Sequence, residues 1–232
     1  MKSDFDLRQL GEIPDPFAAA TGRPAPAAPS PEVRAAMGAS RARGYVRSQR
    51  AAALLIAVAY EVVAVVAYKM RPGVASLPAW QLALGFLIPA AGALVALGAA
   101  VRGGVRGLGE SAARLRMLTL GVPALFALAT WIALPHAGDP AFWPHALDCM
   151  MTTAILGAVP VLLAAWVMRR SFVTAAGWRT ALMGVACGAL ATTAISLVCA
   201  NEDAGHVLVG HGAAILVLGV LGAIAGSRLA RA

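Results

Sequence analysis

The sequence predicts an all-α integral membrane protein, a six-helix transmembrane bundle with a largely disordered cytoplasmic N-terminal tail. Three observations lead there. Of the 232 residues 59% are apolar and 13% charged, against about 25% charged in soluble domains, so a single water-soluble core is excluded. The charged side chains cluster between six long apolar runs, each able to supply the ~20 residues that cross a ~30 Å hydrocarbon layer as a helix. The 19 Lys and Arg residues divide 17 against 2 between the two ends of those runs.

The tail, residues 1–50, has three parts. Residues 1–13 mix acids with Phe5, Leu7, Leu10 and Ile13. Ser3 is placed to cap a short helix whose first turn holds Asp4 and Asp6, where negative charge meets the positive end of the helix dipole. Residues 14–31 contain six of the 14 prolines and read as an extended tether without a core of its own. Ser30 then offers an N-cap with Pro31 at the first helical position. The basic, Ala-rich helix expected over 32–50 leads into the membrane, weakened by Gly38 and Gly44.

The membrane domain is 51–232. Its first run, 51–68, is apolar except for Glu61, and the other five are 72–101, 117–138, 149–168, 180–201 and 204–227. No alternating ten-residue pattern suggests a barrel, so the runs are helices. Only Lys69 and Arg71 fall between the first and second runs; the other basic residues precede the first or follow the second, fourth and sixth. The positive-inside rule therefore places both termini in the cytoplasm. No apolar h-region precedes Ala51, so the first run is expected to act as the insertion signal. Pro89, Pro123 and Pro160 should kink their helices. The pairs Gly184/Gly188 and Gly222/Gly226 read as faces for close packing within the bundle rather than as a dimer interface.

Several function classes drop out. Three cysteines without a C-x-x-C pair exclude a disulfide scaffold and a structural zinc module. The Arg residues flank membrane helices instead of forming a stripe interleaved with aromatics, which argues against direct nucleic-acid binding. No Ser/His/Asp trio, nucleotide loop or H-E-x-x-H pair occurs, so no enzyme is expected and no cofactor is required. Glu61, the one carboxyl well inside a span, is read as a structural group ahead of a proton or cation site.

The end opposite the termini holds the reactive residues. His136, His145, His206 and His211 lie at or near it, with Asp139, Asp148, Glu202 and Asp203. Cys149 opens the fourth run and Cys199 closes the fifth, and because these are consecutive and antiparallel their ends can be neighbours. Cys187 lies ~18 Å deeper along its helix and cannot join them. Two thiols of this kind can be plain packing residues, a redox-switched disulfide, or a soft-metal site completed by Glu202, Asp203 or a histidine such as His211. The acids favour transient binding of a soft divalent metal, because they resist ionisation of a thiol yet attract a cation that displaces its proton.

The second half carries a resemblance. Asp148-Cys149, Pro160, Arg169-Arg170, Gly177, the Gly184/Gly188 face, Cys199 with Glu202-Asp203, His211-Gly212 and the closing Gly222-x-x-x-Gly226-Ser227-Arg228-Leu229 look like the NrsF family of six-span membrane anti-sigma factors. The match covers residues 145–230 well, and the first three spans in layout; the opening Met1-Lys2-Ser3-Asp4 with Leu7 and Leu10 is also similar. It departs in the long proline-rich tether and in Gly210, where an aromatic commonly precedes the matched histidine. The resemblance implies a bacterial inner-membrane protein whose cytoplasmic N-terminal segment holds an extracytoplasmic-function sigma factor inactive, with Asp4, Asp6, Leu7 and Leu10 as contacts. It also implies release of that partner on heavy-metal or redox stress sensed near Cys149 and Cys199. The alternative reading of the residues is a small six-span transporter or ion permease with Glu61 on its path; a membrane enzyme comes third.

Overall fold

A computed structural model describes residues 30–102, 110–136, 138, 142–168 and 176–229, with backbone alone for 31–47, 50, 167, 168, 176 and 229. The expected contact segment 1–13, with Asp4, Asp6, Leu7 and Leu10, and the tether as far as residue 29 lie outside the described residues. Contacts group the chain into two units, Met1–Ala42 and Arg43–Ala232. The second holds the six spans.

Helix α1 is Pro31–Tyr68, starting at the Ser30-Pro31 signature, where a residue without an N–H costs nothing. It ends where Lys69 turns left-handed, with φ 63°. Helix α2 is Ala79–Val101, α3 Ala112–Ala133, α4 Phe142–Met168 and α5 Ala176–Val198. Helix α6 covers residues 204–229 and carries a wide π-turn at Val207–Gly212. Every element among the described residues is helical, and six are long and apolar enough to cross a membrane. Helix α4 begins seven residues before the uncharged run from Cys149 suggested. At 27 residues and ~1.5 Å each it exceeds the ~30 Å hydrocarbon layer, so His145 and Asp148 can extend it past the apolar zone.

The bundle is built around α5. Of its span 83% is buried, against 17% for the span in α1. Helix α6 lies along α5 through a seam of glycines. A Cβ at Gly184 would overlap the Leu218 carbonyl, one at Gly222 would overlap the Thr180 carbonyl, and one at Gly188 would sit 3.0 Å from the Ile215 Cα. Gly184, Gly188 and Gly222 thus contribute to packing within one chain, which small residues permit where apolar burial cannot drive association.

A second π-turn, Ala83–Leu87, opens α2 just before Pro89. The proline lacks an N–H and its ring crowds the carbonyl four residues back, at Gly85; widening the turn relieves that clash.

Polar contacts tie each end. At one, the Arg179 side chain is buried and its Nη1 donates to the carbonyls of Ala100 (3.3 Å) and Arg102 (2.8 Å). A cation there also faces the negative end of the α2 dipole. Replacing Arg179 with alanine is expected to cost about 2–3 kcal/mol, the scale of hydrogen bonds to a charged group. Thermal denaturation of the detergent-solubilised protein checks this; lysine, a single point charge without the guanidinium fork, should restore only part of the loss. At the other end Arg71 pairs with Glu202, the Arg71 N–H donates to the Leu197 carbonyl, and the Ala204 N–H to that of Pro135. Those contacts bring the connections after α1, α3 and α5 together.

Candidate functional site

The laced end carries a compact group of sulfur and nitrogen donors. Cys149 sits two turns into α4, and its carbonyl accepts from Thr153 Oγ1 at 2.6 Å. Cys199 follows the last residue of α5 directly, its N–H bonded to the Ile195 carbonyl at 2.7 Å. The two sulfurs are 3.9 Å apart and both thiols are free and half-buried. Cys187 is fully buried further along α5, within the main apolar cluster.

His206 and His211 complete the group, both buried at 1% and 0% exposure. The Nε2 of His206 lies 3.7 Å from Cys199 Sγ. Nδ1 of His211 shares a hydrogen bond with Ser196 Oγ at 2.9 Å, which leaves its Nε2 buried and without a partner among the described residues. One donor atom from each of Cys149, Cys199, His206 and His211 lies within 4.8 Å of the others.

Local backbone explains why the histidines meet. On a straight α-helix, positions five apart point about 140° away from each other. Between His206 and His211 the helix is wound as a π-turn, whose hydrogen bonds join residues five apart and so stack them on one face. The rings pack edge to face at 5.4 Å. Gly210 permits this winding to press on α4: a Cβ there would be 3.1 Å from the Ala146 carbonyl and 3.3 Å from Cys149 Cβ. No aromatic side chain fits at that position of this chain.

The carboxylates named with the thiols hold other partners. Glu202 pairs with Arg71 at the rim. Asp203 caps α6, its Oδ1 accepting from the His206 N–H at 3.1 Å and its Oδ2 from the Gly138 N–H at 2.9 Å. They shape the site by fixing the start of α6, and stand outside the four-donor group. Of the residues singled out from sequence, Cys149, Cys199 and His211 are brought together; His206, which the sequence placed only among the four histidines at this end, joins them. Ser196, which orients His211, also lines a small cleft of about 20 Å³ shared with Arg71, Phe126 and Glu202.

Glu61 stands apart from this group, in α1. It is buried, and neither carboxyl oxygen has a hydrogen-bond partner among the described residues.

Comparison with known proteins then places the chain. The family model NrsF, negative regulator of sigma F, matches residues 35–231. The chain belongs to the NrsF family. No curated protein and no solved structure matches it. As an NrsF protein it is a negative regulator of a sigma factor, and so a regulator of transcription. The NrsF match takes in all six spans and all four donors, from Cys149 to His211.

Proposed function

We propose that this chain is an anti-sigma factor of the bacterial inner membrane, with both termini in the cytoplasm, which holds an extracytoplasmic-function sigma factor inactive through its N-terminal segment. Stress at the outward end, from a soft metal in preference to an oxidant, releases the partner. The observation that carries this reading is the family membership, joined to a bundle whose donor group sits where the connections after α1, α3 and α5 converge. The charge asymmetry of the sequence assigns that end to the outside. A segment as short as residues 1–13 cannot bury a core alone, so it is expected to order on the sigma factor, Asp4, Asp6, Leu7 and Leu10 supplying contacts.

Deleting residues 2–13 tests the reading. Transcription of the sigma-dependent genes should rise by roughly tenfold or more, the effect of losing only about 1.4 kcal/mol of sequestering affinity, while the protein stays in the membrane fraction. Unchanged transcription at normal protein level would turn the reading toward a small transporter or ion permease. One observation favours that alternative, the buried and unpartnered carboxyl of Glu61, since intramembrane acids commonly mark ion paths.

A further inference from the structure

We infer that Cys149, Cys199, His206 and His211 form a four-ligand site for a divalent d10 cation, zinc or the softer cadmium. The inference deepens the sensor reading and rests on it for the physiological role alone, because the binding chemistry stands on the geometry. Tetrahedral zinc holds sulfur at about 2.3 Å and imidazole nitrogen at about 2.0–2.1 Å. Those bond lengths set tetrahedral edges of about 3.8 Å between two sulfurs and about 3.5 Å between sulfur and nitrogen. The sulfurs here are 3.9 Å apart, and Cys199 Sγ is 3.7 Å from His206 Nε2. With every donor within 4.8 Å of the rest, small side-chain rotations close the shell.

The surroundings suit a cation as well. His211 has one nitrogen engaged by Ser196 and the other bare, buried and beside the thiols; such a supporting bond fixes which nitrogen offers its lone pair. Two thiolates with two neutral imidazoles would leave a zinc complex without net charge, the form that a largely buried site tolerates best. Carboxylates are absent from the four-donor group because Glu202 and Asp203 are held by Arg71, the α6 N-terminus and Gly138. A sulfur and nitrogen donor set selects zinc-like and softer ions over calcium or magnesium, which take oxygen.

The experiment titrates the reduced full-length protein in detergent with Co²⁺ as a spectroscopic probe, followed by displacement with Zn²⁺ and Cd²⁺. One equivalent of Co²⁺ should give the intense visible bands of a tetrahedral ion together with sulfur-to-cobalt charge transfer. His206→Ala and His211→Gln should each weaken Zn²⁺ binding by more than the roughly 10–100-fold expected for Ser196→Ala, which removes only the supporting partner. Cys187→Ala should leave affinity unchanged. Circular dichroism of each variant separates a lost ligand from a lost fold, and His211→Gln keeps a polar side chain in the helix packing. The absence of stoichiometric tetrahedral binding, or spectra and affinity unaltered in both histidine variants, would overturn the site. Tight binding without any effect of metal on sigma-dependent transcription would uphold the site and remove the sensor role.

Discussion

Gly184→Ala is expected to destabilise the bundle by about 2–3 kcal/mol, the upper range for forcing extra atoms into a packed core. For a chain of this size that corresponds to a drop of roughly 5–10 °C in Tm. In an exposed helix interior the same change gains up to about 1 kcal/mol, because alanine loses less freedom on folding than glycine. The sign reverses at Gly184 because its new Cβ would meet the Leu218 carbonyl, a backbone atom that no rotamer change can move. Gly222→Ala, against the Thr180 carbonyl, should behave alike. Gly121 is the control: nothing lies within 4 Å of a Cβ there, so Gly121→Ala should be neutral or stabilising. Thermal denaturation of the three solubilised variants decides. Equal Tm values for Gly184→Ala and Gly121→Ala would mean that α5 and α6 do not meet through their glycines.

The double variant Cys149→Ser/Cys199→Ser is expected to abolish induction of the sigma-dependent genes by cadmium while leaving repression intact. A serine hydroxyl is a far weaker ligand for a soft ion than a thiolate. Loss of both ligands should therefore exceed the roughly 10–100-fold in affinity that removing one supporting contact costs a metal site. Cys187→Ala should respond as the parent does, since that thiol is enclosed in apolar packing along α5. Reporter transcription with and without cadmium, at matched protein level, is the measurement. Full induction of the double variant would reduce both thiols to packing residues.

The six helices were legible because each is a long apolar run, uncharged apart from Glu61 in the first and bounded by charged residues with an arginine at one end or both, and a run of that kind without strand-like alternation crosses a membrane core only as a helix. Their ends were less so. The start of α4 at Phe142 passes through His145 and Asp148, and polarity alone does not distinguish a helix leaving the hydrocarbon from a loop. The glycine pairs announced close packing, yet a G-x-x-x-G spacing names no partner; that Gly184 and Gly222 share one seam needed coordinates. The nearness of Cys149 and Cys199 followed from consecutive antiparallel spans. His206 did not follow from helical periodicity, because its alignment with His211 depends on a π-turn that no residue type signals. The roles of Glu202 and Asp203 were likewise hidden, since an acid just before a helix is equally suited to cap it, to pair with an arginine or to ligate a metal.

The burial of α5 bears on how the protein is made. Chains emerge from the ribosome N-terminus first, at about 5–20 residues per second, so the helix around which the others pack is the fifth to arrive. Until then α2 and α3 have each other, whereas α4 waits for its main neighbours, α5 and α6. A nascent chain halted before Ala176 has walls and no centre. Assembly of the packed bundle therefore waits until α5 is in place.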